Sequence, residues 1–120
     1  KIVAASARRF VLSGDDSKRV SRLGEKAPLP VEVVPFGRQR TARLLSDLGG
    51  EPRLRLAGGE AFVPDNGNVV YDVLFSAPFA PAEVASRLAS MPGVVEHGLF
   101  LGMAERAFVA SASGVDEVRA

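Results

Sequence analysis

The chain has no cysteine and no tryptophan, one histidine, one tyrosine and two methionines. Without cysteine there is no disulfide framework, no thiolate nucleophile and no thiolate metal site. A single histidine with no cysteine argues against zinc as well. No apolar run approaches the roughly 18 residues that a membrane-crossing helix needs. Neither sign of charge dominates: 15 basic against 14 acidic residues leave a net charge of +1. A pull toward nucleic acid or anionic lipid is therefore not expected. The runs Arg8-Arg9 and Arg38 to Arg43 read as solvated helix faces. With 47% hydrophobic and 24% charged residues in 120, the chain has the composition of a globular protein, and the cytoplasm is the expected compartment.

What is present reads as alternating elements. Lys1 to Arg9 looks like the latter part of a helix, since Ile2, Val3 and Ala7 are already in phase and no capping residue precedes them. Phe10-Val11-Leu12 follows as a short buried strand. The chain is accordingly expected to be the later portion of a larger protein. A polar loop, Ser13-Gly14-Asp15-Asp16-Ser17-Lys18, is expected at the carboxyl end of that strand. Pro28-Leu29-Pro30 cannot be helix interior and is read as an extended connector and a boundary.

From Val31 the pattern is regular. Val31-Glu32-Val33-Val34 is β-branched and strand-like, closed by Pro35. Thr41, Leu44, Leu45 and Leu48 make the stripe of an amphipathic helix, which Gly49-Gly50 stops. Arg53-Leu54-Arg55-Leu56 alternates, predicting a half-buried strand with its arginines in water. Ala57 to Pro64 reads as a hairpin arm or a bulged extension, Asp65-Asn66-Gly67-Asn68 as a turn, and Val69 to Phe75 as the next strand. Pro81 suits a first helical position, and Val84, Ala85, Leu88 and Met91 form that helix's apolar face. Pro92-Gly93 ends it before a strand from Val94 to Leu101. The order is β-α-β-β-α-β, the ferredoxin-like arrangement of an antiparallel sheet with two helices on one face. Its other face is expected to meet a subunit or domain. In the tail, Ala107 to Ala110 is a strand, and after a turn at Gly114 the apolar Val115 and Val118 return with it to the sheet of Phe10 to Leu12. The fold class is α/β, with residues 1–30, 31–101 and 102–120 as its parts.

Few residues carry chemistry. Ligands of open α/β sheets bind beyond the carboxyl ends of strands, where Lys18 is placed to neutralise a phosphate or an oxyanion. The alternative is an exposed Lys18 beside an Asp15 or Ser17 that caps a turn. Glu96 and His97 are adjacent in a strand and face opposite ways, so they are no acid–base pair. Asp72, set among Val70, Tyr71 and Val73, reads as a hydrogen-bonded structural carboxylate. Gly49-Gly50 and Gly58-Gly59 lack the spacing of a phosphate-cradling loop. Ser6, Ser13 and Ser17 have no nearby histidine to support a hydrolase triad.

Several segments taken together resemble a known family. Lys1-Ile2-Val3, Asp16-Ser17-Lys18, the string from Pro28 to Pro35, Leu48-Gly49-Gly50, Asp65-Asn66-Gly67-Asn68 and the string from Pro92 to Phe100 recur, in that order, in the C-terminal half of type A ribose-5-phosphate isomerase. The resemblance implies a Rossmann-like catalytic domain, to which residues 1–30 and the return strands 102–120 belong, and an inserted ferredoxin-like unit over 31–101. It implies a homo-oligomer acting on a phosphorylated pentose, with no cofactor, metal, nucleic acid or membrane. The implied reaction interconverts ribose 5-phosphate and ribulose 5-phosphate through an enediolate. The family's base, a glutamate, immediately precedes the lysine that corresponds to Lys1, and its phosphate loop lies further upstream. No catalytic residue is thus assigned within the chain, and the 120 residues alone are expected to be inactive. Lys18 alone matches a substrate-contacting position, toward the phosphate. A non-catalytic ferredoxin-like module that dimerises or binds a small ligand is the alternative. An RNA-binding module ranks last, because Tyr71 is the single aromatic candidate on the central strands.

Overall fold

The computed structural model describes all 120 residues. It divides into two compact units, Arg22–Leu99 and the pair of segments Lys1–Ser21 and Phe100–Ala120. No helix is long and apolar enough to cross a membrane.

The first unit holds the helix α1 (Ile2–Ser6), strand β1 (Val11–Asp15) and a single 3-10 turn over Asp16–Lys18. The strands β8 (Arg106–Ser111) and β9 (Gly114–Arg119) complete it. β1 runs parallel to β8, and β8 pairs antiparallel with β9, in the order β1-β8-β9. Three expectations are corrected here. The helix ends at Ser6, short of Arg9, and Ile2 and Val3 on it are exposed. The strand does not stop at Leu12: Ser13, Gly14 and Asp15 pair with Phe108, Val109 and Ala110. Backbone pairing extends a strand through polar residues that apolar patterning assigns to a loop. Nor are the strand's apolar residues buried, since Val11 and Leu12 remain over 40% exposed within this small sheet.

Ion pairs hold this unit's surface together. Arg9 and Arg106 both donate to Glu105, at 2.8 and 2.7 Å, and Arg106 also reaches Glu117 at 3.0 Å. Hydrogen bonds from Arg9 and then Arg106 hold the Glu105 carboxyl down at about 2. A carboxylate whose pKa is lowered by folding stabilises the fold above its ordinary value near 4.5 and loses that contribution as pH falls toward 2. In an acid titration followed by circular dichroism, Glu105→Gln is expected to unfold more readily than the parent at neutral pH. The two curves should converge near pH 2; a constant gap down to that pH would discount the pairing.

The second unit carries the core. Its elements are β2 (Leu29–Val33), α2 (Arg38–Ser46), β3 (Glu51–Leu54), a small hairpin of β4 (Leu56–Ala57) with β5 (Glu60–Ala61), β6 (Val69–Leu74), α3 (Pro81–Ala89) and β7 (Val94–His97). The four longer strands form an antiparallel sheet in the order β3-β6-β2-β7. Alternation decides the faces: Leu29, Val31, Val33, Val69, Tyr71 and Val73 pack in one cluster with Leu45 and Leu48 from the α2 side and Val84 and Leu88 of α3. Both helical stripes expected from the sequence therefore cover the same sheet face.

Several boundaries move. Leu29 and Pro30, expected in a connector, belong to β2. Leu29 is buried opposite Val73, and Pro30, which lacks an N–H, still uses its carbonyl to accept from Gly98 N at 2.9 Å. β3 ends at Leu54, because Leu56 begins the hairpin and is 59% exposed. β7 stops at His97 rather than Leu101, where Gly98 packs against the Pro30 ring so closely that a Cβ would fall 2.7 Å from it. Arg55 does not simply face water. Its Nε and Nη2 donate to the Asp72 carboxylate at 2.9 and 2.6 Å, a two-pronged pair on the sheet face away from the helices. Glu32, on that same face, accepts from Asn68 Nδ2 at 2.9 Å and from Asn66 Nδ2 at 3.4 Å. Two of the segments that carry the family resemblance thus meet in space: Glu32 of the string from Pro28 to Pro35 holds the asparagines of the turn Asp65-Asn66-Gly67-Asn68.

Candidate functional site

The parallel pairing of β1 with β8 makes one sheet end chemically distinct, since both strands run toward the carboxyl side together. Lys18 stands at that end. The chain leaves β1 at Asp15, whose Oδ1 accepts from Ser17 N at 2.8 Å and so caps the turn that carries Lys18. This hydrogen bonding from Ser17 lowers the Asp15 pKa, and the positive charge of Lys18 adds to the effect. The structural features named in the alternative are present, with Asp15 capping the turn and Lys18 exposed.

Gly14 and Arg19 complete the arrangement. A Cβ on Gly14 would lie 3.4 Å from Lys18 Cγ, so the lysine stem crosses the strand where no side chain stands. Arg19 bridges Asp16 at 3.3 Å and Asp116 of β9 at 2.6 Å, tying the turn to the far strand of the sheet. Arg19, though exposed as Lys18 is, is engaged by two carboxylates. An exposed ammonium with three donors is chemically able to pair with an anion. Gly14 was legible only as a loop glycine, and the partnership of Arg19 with Asp116 had no local signal, the two being 97 positions apart.

The other residues singled out in the sequence lie in the second unit. Glu96 sits opposite Glu32 and His97 opposite Val31, so the adjacent pair does face opposite ways. Glu96 Oε1 accepts from the His97 backbone N at 2.9 Å, and His97 Nδ1 accepts from Leu99 N at 3.2 Å. These are bonds that shape the end of β7. Asp72 is the structural carboxylate expected of it, bound by Arg55. No group of three or more acidic or histidine side chains is placed to hold a metal ion. In the first unit an apolar recess of about 330 Å3 is lined by Phe10, Leu12, Phe100 and Ala104. It offers no polar group that would orient a substrate.

The three-stranded and four-stranded sheets, with their helices, define a mixed α/β protein. The family model for ribose 5-phosphate isomerase A (phosphoriboisomerase A) matches residues 1–114. The chain belongs to that family. Ribose-5-phosphate isomerase A of Roseiflexus castenholzii is 52% identical over 119 residues, which are 98% of this chain and 51% of that protein. The Deinococcus radiodurans enzyme of the same name is 47% identical over 118 residues, 98% of this chain and 52% of its own. Among solved structures, ribose 5-phosphate isomerase A from Methanocaldococcus jannaschii superposes with a TM-score of 0.91 at 37% identity, over 100% of this chain and 53% of that one. A D-ribose-5-phosphate isomerase in complex with phospho-erythronic acid gives 0.93 at 30% identity, again over 100% of this chain and 53% of the other. The chain spans about half the length of the curated relatives it matches.

Proposed function

We propose that this chain supplies the substrate-anchoring turn of a ribose-5-phosphate isomerase, with Lys18 as its contact to the phosphate of the sugar. The observation that carries the reading is Lys18 on a capped turn at the carboxyl end of parallel β1 and β8, in a chain of this family. In the reaction a base removes the proton from C2 of the aldose, an enediolate forms, and the proton is delivered to C1 to give the ketose. Such a base has to lie within hydrogen-bond reach of the carbon-bound proton. No residue of this chain is assigned that role. Its part is electrostatic: an ammonium holding the phosphate end fixes the distance from the anchor to C1 and C2. A related isomerase holding a phosphorylated sugar acid supports a phosphorylated pentose as the substrate class.

In the same reading, Lys1–Ser21 and Phe100–Ala120 form part of a Rossmann-like catalytic domain. Arg22–Leu99, with its β-α-β-β-α-β order and β3-β6-β2-β7 sheet, is a ferredoxin-like unit. The protein works as a homo-oligomer in the cytoplasm, and the 120 residues by themselves are inactive. The non-catalytic module considered as an alternative is not favoured, because the family match runs through the β1 and β8 segments as well as the middle unit.

In the full-length protein, Lys18→Ala is expected to raise KM for ribose 5-phosphate by about tenfold or more, the effect of losing a charge-assisted contact worth about 1.5–3 kcal/mol. Lys18→Arg should recover part of it, and unfolding should be unchanged because Lys18 is exposed. Unaltered KM and kcat in Lys18→Ala would remove Lys18 from the site.

A further inference from the structure

The turn Asp65-Asn66-Gly67-Asn68 has no part in the proposed site, yet it places reactive groups together. Asn66 and Asn68 are the chain's two asparagines. Both donate to Glu32 Oε1, but unequally: Asn68 Nδ2 at 2.9 Å and half-buried, Asn66 Nδ2 at 3.4 Å and exposed. The residue after Asn68 is Val69, β-branched, 5% exposed and paired with Val33 in β6. The residue after Asn66 is Gly67, exposed, with φ of 76° and no Cβ to shield its amide nitrogen.

We propose that Asn66 is a site of spontaneous deamidation, and that its conversion removes the longer of the two amide hydrogen bonds to Glu32, leaving that from Asn68. The Gly67 amide nitrogen attacks Asn66 Cγ, the bond from Cγ to Nδ2 breaks, and Nδ2 leaves as ammonia with the proton from the Gly67 amide. The product is a five-membered succinimide. Water then opens either of its carbonyls, leaving aspartate or isoaspartate at position 66. The sum exchanges an amide and water for a carboxylic acid and ammonia, with no oxidation or reduction.

The fold sets both the choice of site and its pace. At Asn68 the strand fixes the following nitrogen, and the valine side chain blocks the ring closure. At Asn66 only a long hydrogen bond holds the side chain. The Gly67 N–H, however, donates to Pro64 O at 2.9 Å, so the turn has to open before the nitrogen can attack. Conversion in the folded protein is therefore slower than in the unfolded chain and still selective for Asn66. Afterwards a carboxylate faces the Glu32 carboxylate where an amide donor stood. The isoaspartyl form also adds a methylene to the backbone of the turn. This inference stands independently of the isomerase reading.

The test is to incubate the protein carrying this chain, folded and in denaturant, at mildly alkaline pH and to map its peptides by mass. Expected is the gain of amide-to-acid conversion, assigned by fragmentation to residue 66 before any at residue 68, with both aspartyl and isoaspartyl products. The gain should appear sooner in the denatured sample. Asn66→Gln, which keeps the amide but disfavours the small ring, should lose it. Conversion at Asn68 first, or a folded protein unchanged at Asn66 after the denatured chain has fully converted, would overturn the proposal.

Discussion

Leu45→Ala is expected to lower the stability of the second unit by about 2–5 kcal/mol, read from the urea midpoint of the protein that carries it. Leu45 is fully buried, on the stripe by which α2 covers the sheet. Truncation removes the transfer free energy of the lost atoms and leaves a cavity among Val31, Val33 and Val73, all of them 0% exposed. β-branched side chains on a sheet have little rotamer freedom with which to fill such a space. Val115→Ala is the natural control. Val115 is 67% exposed on β9, so its loss should stay within about 0.5 kcal/mol. Equal shifts for the two variants would mean that the core is not where the structure puts it.

Gly93→Ala should cost about as much, for a different reason. Gly93 has φ of 93°, a region that costs an L side chain roughly 1–2 kcal/mol. Its Cβ would also fall 2.5 Å from Thr41 Oγ1, on a residue only 4% exposed. Relief would require the α2 side chain to move inside a packed layer, which adds about 1–3 kcal/mol. The Gly93 carbonyl meanwhile accepts from Val34 N at 2.9 Å, so strain at this turn is passed to the end of β2. A double-mutant cycle separates the two causes. In a Thr41→Ala background the clash is gone and the backbone strain remains, so Gly93→Ala should cost less there than in the parent. The same cost in both backgrounds would refute the steric part of the account.

Much of the middle unit was legible because its signals are local. The period of Thr41, Leu44, Leu45 and Leu48, the proline at the start of α3 and the Asn-Gly turn each follow from the conformational limits of a few neighbouring residues. Where local signals failed, the deciding partner was distant. Leu29 and Pro30 looked like a connector because two prolines flank one leucine. Pairing with β6, some forty positions away, makes them a strand. Ser13, Gly14 and Asp15 looked like a loop, and β8 turns them into the end of β1. Arg55 looked solvated until register set it diagonally across from Asp72.

The candidate site divides the same way. A lysine at the carboxyl end of a strand, and an aspartate able to cap the turn before it, can be read from six consecutive residues. The family resemblance, too, rests on strings a few residues long, and the family comparison agrees with it. The sequence by itself therefore determined the order of elements in the middle unit, the apolar faces of α2 and α3, the Asn-Gly turn and the candidate cation, because φ/ψ preferences and side-chain periodicity act between near neighbours. The tertiary structure alone decided where strands begin and end, which charges are taken up by partners, and that Arg19 ties the turn to Asp116 of β9. Those outcomes depend on pairing register and on ion pairs between residues as far apart as Arg19 and Asp116, and no local rule specifies either.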